Sequence, residues 1–160
     1  MRPDGSCTRE VDGVGLANTL AWTVDDTTFY FGDTLANLIW AFDCDLETGR
    51  LANRRVLCDE KLPGFCDGSA IDAEGYLWNA RFAGSAVVRL APDGRVERIV
   101  ELPITNPTSC CFGGADLKTL YVTSARFTLS DEQLRRNPLE GALLALHAGV
   151  GGTPSHRFAG

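Results

Sequence analysis

The sequence lacks the features that a nucleic-acid-binding protein or a membrane-spanning protein needs. Of its 160 residues, 15 are lysine or arginine and 21 are aspartate or glutamate, so the formal net charge is −6. Binding to a phosphate backbone or to an anionic membrane requires a basic surface, and we therefore expect neither partner. Apolar runs are short, as at residues 142–146, whereas a membrane-spanning helix needs about 20 apolar residues.

The N-terminus and the cysteine spacing show none of the signs of a secreted protein. Residues 1–6, Met-Arg-Pro-Asp-Gly-Ser, are followed by no apolar stretch, so no secretory signal is expected. The six cysteines include no Cys-x-x-Cys pair, which disfavours both a disulfide framework and zinc held by thiolates. We predict a cytoplasmic protein whose cysteines are small buried residues kept reduced.

What the sequence does contain is an internal repeat. Three segments each combine a short apolar strand, a turn rich in aspartate or glycine, and a second strand with an aromatic residue; they are residues 20–31, 69–79 and 110–123. Their turns centre on Asp26, Glu74 and Asp116, at repeat distances of 48 and 42 residues. This period is typical of a four-stranded propeller blade.

Each repeat is predicted to contain two further strands. They are residues 38–42 and 54–57 in the first repeat, 86–90 and 96–102 in the second, and 142–146 with a closing strand near 156–158 in the third. One short helix is predicted at 130–139, capped by Ser130 with Gln133 and ended by Pro138. The predicted fold class is all-β, with about three four-stranded blades of a β-propeller.

Three blades do not close a ring, because natural propellers have roughly four to eight. We expect residues 1–160 to form one partial propeller domain with open sheet edges. Residues 1–11 are predicted to be a turn and an outer strand of a blade whose earlier strands are missing. A second half-propeller or a homodimer partner would cover the edges, and a compact all-β domain that closes on itself is the alternative.

Several long segments resemble motifs of the gluconolactonase/regucalcin (senescence marker protein) family. Residues 18–25, Asn-Thr-Leu-Ala-Trp-Thr-Val-Asp, are similar to its Asn-Gly-Leu-Ala-Trp-Ser-Pro-Asp motif. Residues 67–78, Asp-Gly-Ser-Ala-Ile-Asp-Ala-Glu-Gly-Tyr-Leu-Trp, resemble its Asp-Gly motif ending in Asp-Ala-Glu-Gly-x-Leu-Trp, and residues 42–56 and 107–125 match two other segments. The resemblance implies a six-bladed propeller about twice this length, of which this chain covers the C-terminal half.

The repeat also predicts a candidate site at the entry to each blade. With the turns in register, Asn18, Asp67 and Thr108 precede the first strand of their units, which is the innermost strand of a blade and faces the central channel. A carboxylate and an amide oxygen that meet there suit a hard divalent cation such as Ca²⁺, Mg²⁺ or Mn²⁺, with zinc as an alternative. Asparagine and aspartate are also the usual residues of turns, so a purely structural role stays open.

The resemblance implies a metal-dependent hydrolase that opens sugar lactones. It implies that Asn18 and Asp67 match metal ligands of the family and that Asp67 also serves as the base. The family's remaining ligand, a glutamate, and its sugar-contacting residues belong to the half that this chain does not contain, so we expect weak metal binding and little activity from the chain alone. The alternatives are a non-catalytic binding propeller and a calcium-binding regulatory protein.

Position 19 departs from the family motif. Thr19 stands where the motif has glycine, and a β-branched residue adopts a positive φ only at an energetic cost. If that glycine has a positive φ, the loop that carries Asn18 is expected to be reshaped in this chain.

Overall fold

The computed structural model describes residues 7–58 and 61–154, which form three antiparallel sheets and a short helix. The first sheet contains β1 (Ala17–Trp22), β2 (Thr28–Asp33), β3 (Leu38–Cys44) and β4 (Leu51–Cys58). The second contains β5 (Phe65–Ile71), β6 (Leu77–Phe82), β7 (Ala86–Leu90) and β8 (Val96–Glu101). The third contains β9 (Pro107–Gly113), β10 (Thr119–Ser124) and β11 (Leu144–His147), with the helix α1 (Asp131–Arg136) between β10 and β11.

This architecture confirms the predicted all-β class and the three blades. Strands pair in chain order within every sheet, as in a propeller blade, and the sheets form no closed ring within the described ranges. The first two sheets have the expected four strands. The third has three in the described part of the chain, and the closing strand predicted near 156–158 lies outside it.

The blades pack against one another through two apolar layers, and the middle blade is covered on both faces. Its central strands β6 and β7 are therefore buried along nearly their whole length. The layer shared by the first and second sheets includes Ala21, Tyr30, Ile39, Ala41, Cys66, Leu77, Val88 and Leu90. The layer shared by the second and third includes Trp78, Val87, Cys110, Leu120 and Val122.

The N-terminal segment, residues 7–16, lies over the outer face of the first sheet. It contains no strand, so the predicted outer strand is wrong for the part of that segment that the structure describes, and the turn predicted at residues 1–6 lies outside this part. Val11 and Val14 instead pack against an aromatic cluster of the first sheet. That cluster consists of Phe29, Phe31 and Phe42.

A buried ion pair fixes the turn between β5 and β6. Asp72 is fully buried and accepts hydrogen bonds from the indole N–H of Trp78 and from Nε of Arg89, both at 2.8 Å, and Nη2 of Arg89 lies 2.7 Å from the same carboxylate oxygen. It also accepts two backbone N–H groups of the turn, at 2.9 and 3.0 Å. The Arg89 guanidinium lies 3.8 Å from the centre of the Tyr76 ring. The Asp-Ala-Glu-Gly-Tyr-Leu-Trp segment is thus a structural turn, at the opposite end of β5 from Asp67.

The helix begins as predicted and ends earlier. The Ser130 side chain accepts the backbone N–H of Gln133, and the Gln133 side chain accepts the backbone N–H of Ser130, which confirms the capping box. The chain leaves the helix at Asn137, directly before Pro138, because the residue before a proline avoids helical dihedrals. Among the described residues, no helix is both long and apolar enough to cross a membrane.

The prediction of buried cysteines is correct for only part of the set. Cys66 and Cys110 are buried, and burial raises the pKa of their thiols to about 11 and about 12. Neither thiol is therefore a reactive nucleophile at neutral pH. Cys7 and Cys111 are exposed. Cys111 faces away from the core because neighbouring side chains of a strand point to opposite faces.

Candidate functional site

The first strand of each sheet has a β-bulge near its start. A bulge places one extra residue in a strand and re-aims the neighbouring side chains, which is why bulges are frequent next to functional sites. The bulges lie between Asn18 and Leu20 in β1, between Cys66 and Ser69 in β5, and opposite Thr123 and Ser124 of β10 in β9.

The bulges set the true register of the three repeats. Leu20 and Ser69 are the first paired residues after their bulges, so Asn18 and Asp67 occupy equivalent places, two residues earlier. In β9 that place belongs to Pro107 and not to Thr108. The prediction that Thr108 is the third equivalent polar residue is therefore wrong by one position, because the turns of the repeats differ in length.

Asn18 is half-buried at the start of β1 and uses only part of its amide. Its Nδ2 donates a hydrogen bond to the Thr34 hydroxyl at 3.0 Å. Among the described residues, the Oδ1 atom accepts no hydrogen bond. The oxygen is therefore available to a ligand, and its orientation is fixed by the bond that the nitrogen makes.

Asp67 is half-buried in the bulge of β5. Burial raises the pKa of its carboxyl from the ordinary value of 3.8 to about 6, and a hydrogen bond from the backbone N–H of Gly68 offsets only part of this effect. Among the described residues, no lysine, arginine or histidine forms an ion pair with this carboxylate. A carboxylate that loses water without gaining a cation is costly, and such groups are concentrated at functional sites.

Two hydrogen bonds link the segments around the bulges of β1 and β5 across the boundary between the first two blades. The Thr34 hydroxyl, which accepts from Asn18, donates to the carbonyl oxygen of Cys66 at 2.7 Å. The Thr19 hydroxyl donates to the carbonyl oxygen of Asp67. Asn18 and Asp67 therefore lie at the same end of adjacent blades, although no hydrogen bond joins their side chains to each other in the described part of the chain.

Thr19 occupies the bulge of β1 with a left-handed backbone. Its φ is 45°, a conformation that costs a residue other than glycine roughly 1–2 kcal/mol. Position 19 thus has a positive φ in spite of its β-branched side chain. The Thr19 side chain fits because Gly32 of β2, which lies against it, has no Cβ atom. A Cβ atom on Gly32 would lie only 3.0 Å from the Cβ of Thr19. Hydrogen bonds of the Thr19 hydroxyl offset part of the strain.

Asn79 and Arg81 of β6 hold the segment that carries Asp67, and sequence analysis missed both. The Asn79 amide is fully buried and donates to the Asp67 carbonyl at 3.0 Å and to the Ser69 hydroxyl at 2.9 Å. The Arg81 guanidinium is 2% exposed and donates to the Asn79 side chain at 2.8 Å. Two polar residues that alternate within the otherwise apolar strand 77–82 were the signal that could have revealed them.

The guanidinium of Arg81 also fixes the chain just before Asp67. It donates to the carbonyl oxygens of Pro63 at 2.8 Å and Gly64 at 3.1 Å, and to the side-chain oxygen of Asn37 at 2.8 Å. The same Asn37 oxygen accepts the backbone N–H of Cys66 at 2.9 Å. Burial lowers the pKa of Arg81. Backbone and side chain are thus fixed on both sides of Asp67.

The donor atoms at this end of the blades fit a hard divalent cation without completing its coordination. The Asp67 carboxylate and the Asn18 Oδ1 are oxygen donors of the kind that Ca²⁺, Mg²⁺ and Mn²⁺ prefer. A calcium ion takes about six to eight oxygen ligands, so two side chains leave most positions to water or other groups. Residues 7–58 and 61–154 contain no cluster of three or more His, Cys, Asp or Glu that could hold a metal ion.

A cleft of about 660 Å³ is lined by residues of β1, β5 and β9, the first strands of the three sheets. Its lining includes Leu20, Trp22 and Cys111 but neither Asn18 nor Asp67. Leu20 is 65% exposed and Trp22 is 43% exposed. Part of the wall of this cleft is thus apolar and accessible.

Known proteins are similar to this chain in sequence and in fold. The sequence model described as "SMP-30/Gluconolactonase/LRE-like region" matches residues 1–126. The chain belongs to this family. Regucalcin of Danio rerio is 42% identical over 163 residues, which cover 100% of this chain and 55% of that protein. Regucalcin of Gallus gallus is 42% identical over 161 residues, which cover 99% of this chain and 54% of that protein.

Solved structures of the family have the same fold. The crystal structure of a calcium-binding protein, regucalcin, from Agrobacterium tumefaciens superposes with a TM-score of 0.89 at 35% identity and covers 96% of this chain and 54% of that one. A luciferin-regenerating enzyme gives a TM-score of 0.75 at 31% identity and covers 88% of this chain and 48% of that one. The chain spans about half the length of its relatives, so the activity of a whole relative is only a proposal for it.

Proposed function

We propose that this chain carries part of the active site of a metal-dependent hydrolase that opens sugar lactones such as gluconolactone. The observation that carries the proposal is the Asp67 carboxylate, which is half-buried and unpaired by any cation among the described residues. It lies at the same end of the adjacent blade as Asn18, whose amide oxygen accepts no hydrogen bond among the described residues. Membership of the gluconolactonase family supports lactone hydrolysis as the reaction class.

In this proposal Asn18 and Asp67 hold a divalent cation, with Ca²⁺, Zn²⁺, Mn²⁺ and Mg²⁺ as candidates, and Asp67 also acts as the base. A bound cation would polarise the carbonyl group of the lactone. With a pKa of about 6 the metal-free carboxyl is largely ionised at pH 7, so it is able to accept a proton from water. The water oxygen bonds to the carbonyl carbon, the ring C–O bond breaks, and the proton passes through Asp67 to the departing alkoxide.

The test measures acid release from gluconolactone by the chain alone and after mixing with a polypeptide that matches the first half of Danio rerio regucalcin. Each sample is assayed with EDTA and with Ca²⁺, Zn²⁺, Mn²⁺ or Mg²⁺. We expect metal-dependent hydrolysis above the spontaneous rate, weak for the chain alone and stronger in the mixture. Asp67→Ala is expected to abolish it, whereas the exposed turn variant Asp45→Asn keeps it. Metal-dependent activity that survives Asp67→Ala contradicts the proposal.

A calcium-binding or purely scaffolding role is the second candidate. It is favoured by the calcium-binding description of the Agrobacterium tumefaciens regucalcin and by the incomplete coordination that Asn18 and Asp67 provide. Calorimetric titration with Ca²⁺ separates the cases. Heat of binding without any lactone hydrolysis, even in the mixture of halves, favours calcium binding, while the absence of both favours a non-catalytic binding propeller.

We further propose that residues 1–160 act as one partial propeller in the cytoplasm. Its open edges would be covered by a second half-propeller or by a second copy of the chain, because unpaired strand edges invite association. The exposed thiols of Cys7 and Cys111 support a reducing compartment, where such groups persist. Fluorescence imaging of a tagged chain tests the compartment.

A further inference from the structure

The hydroxyl of Thr19 lies at the junction of the first two blades and uses its full hydrogen-bonding capacity there. A threonine hydroxyl has one donor and two acceptor positions. It donates to the Asp67 carbonyl, lies 3.0 Å from the Ser69 hydroxyl and accepts from the Asn79 amide at 3.2 Å. Thr19 is 2% exposed, so water does not compete for these bonds.

Blade packing by itself does not require a hydroxyl at this place. The equivalent bulge position in the second sheet is Gly68, which has no side chain to reach the third sheet. A Cβ atom on Gly68 would lie 2.2 Å from the hydroxyl oxygen of Ser109, so the neighbouring blade fills that space itself. The bridge from this bulge position is thus found between the first two blades, at the end where Asn18 and Asp67 lie.

We infer that Thr19 is a positioning residue that fixes the distance between the Asn18 amide and the Asp67 carboxylate. Thr19 follows Asn18 directly in the chain, and its hydroxyl binds the main chain of Asp67, so one side chain connects the backbones of both candidate ligands. The left-handed φ of 45° is retained at this position although it is strained, which is the pattern of a residue held for its contacts. This inference depends on the metal site proposed above.

Three substitutions separate the hydroxyl from the shape and the backbone strain of Thr19. Thr19→Ser keeps the hydroxyl and removes a methyl group. Thr19→Val keeps the shape and removes the hydroxyl. Thr19→Gly removes the hydroxyl and relieves the left-handed strain, so a loss of metal affinity in this variant does not come from a strained backbone.

The experiment titrates each variant by calorimetry with Ca²⁺, Mn²⁺ and Zn²⁺ separately, and follows thermal unfolding in EDTA to show that each is folded at the titration temperature. Partners that orient metal ligands contribute about 10- to 100-fold to affinity. We expect losses in this range for Thr19→Val and Thr19→Gly, and an affinity for Thr19→Ser close to that of the parent chain. If Thr19→Val does not fold, the metal affinities of Thr19→Gly and Thr19→Ser still show whether the hydroxyl is needed.

Failure of the inference differs from failure of the metal site. If the parent chain binds metal, Asp67→Ala abolishes binding, and Thr19→Gly and Thr19→Val bind as the parent does, the site stands and the positioning role is overturned. If Thr19→Ser loses as much affinity as Thr19→Gly, the hydroxyl is not the cause and the inference is again overturned. If the parent chain gives no heat with any of the three ions, the proposed site and the inference fall together.

Discussion

Replacing Asp67 with asparagine should make the metal-free chain more stable at neutral pH while removing the proposed base. The substitution keeps the size of the side chain and removes the charge that burial disfavours. In the native chain this charge has no cation partner among the described residues, so its removal breaks no ion pair there. Such an exchange of stability for function is a common property of active sites.

The magnitude follows from the pKa of Asp67 in the folded chain. It is raised from 3.8 to about 6, and a pKa difference of about 2 corresponds to about 3 kcal/mol as an upper limit. Because solvent still reaches part of the carboxylate and screens it, we expect about 1 kcal/mol.

The sign of the effect depends on pH. The folded state binds the proton more tightly than the unfolded state, so the penalty is absent below pH 3.8, grows as the pH rises towards 6, and is constant above about 7.

Urea unfolding in EDTA, followed by tryptophan fluorescence, to which the fully buried Trp78 contributes, measures the difference at pH 4.0 and pH 7.5 in matched samples. At pH 7.5 we expect the free energy of unfolding of Asp67→Asn to be higher than that of the parent chain. At pH 4.0 we expect the two values to be nearly equal. Asp45→Asn is the control, and we expect it to lower the free energy of unfolding at the higher pH. Backbone and hydroxyl hydrogen bonds from Thr48 lower the pKa of Asp45, so its ionised form stabilises the fold above its unfolded pKa.

Two results would refute this reasoning. One is a loss of stability in Asp67→Asn at pH 7.5, which would mean that the carboxylate makes favourable interactions that the asparagine does not replace. The other is an equal gain at both pH values, which would show that the effect has nothing to do with the charge of Asp67.

Three further predictions concern the fold and its edges. Arg89→Met should destabilise the chain by about 3–5 kcal/mol, because it leaves the buried Asp72 carboxylate unpaired; a loss below about 1 kcal/mol in urea unfolding would contradict the role of this pair. Ser130→Ala should cost about 1 kcal/mol or less and leave the lactone assay unchanged, because it removes the cap of a helix with no buried residue. Light scattering should give a mass above that of the 17.3 kDa chain at micromolar concentration, and a monomer would speak against pairing of two copies through the open edges.

Local turn chemistry explains why the three blades could be predicted. The turns near Asp26, Glu74 and Asp116 lie between strands whose apolar residues are local in sequence, so each hairpin is specified by its own segment. The N-terminal segment is different. Val11 and Val14 find their partners on the first sheet, more than ten residues away in the chain, and nothing local distinguishes that packing from a strand.

The residues at the candidate site also fall into those that the sequence predicted and those that it misplaced or missed. The equivalent placement of Asn18 and Asp67 could be predicted because each of the first two repeats supplies one of them. Thr108 was misplaced because the Asp116 turn lies one residue further from its bulge than the Asp26 turn does, and a bulge leaves no reliable mark in a single sequence. Asn79 and Arg81 were missed because their partners, the carbonyls of Pro63, Gly64 and Asp67, come from other strands and loops.

The sequence by itself determined the blades, their order and the two oxygen-bearing residues at the blade entries, because turns, strand periodicity and repeats are encoded within each segment. Only the tertiary structure decided how those residues are held: the left-handed Thr19, its bridge to the next blade and the buried amide and guanidinium behind Asp67. The Thr19 bridge joins residues 48 to 60 positions apart, and the energy that favours it exists only after the blades have packed.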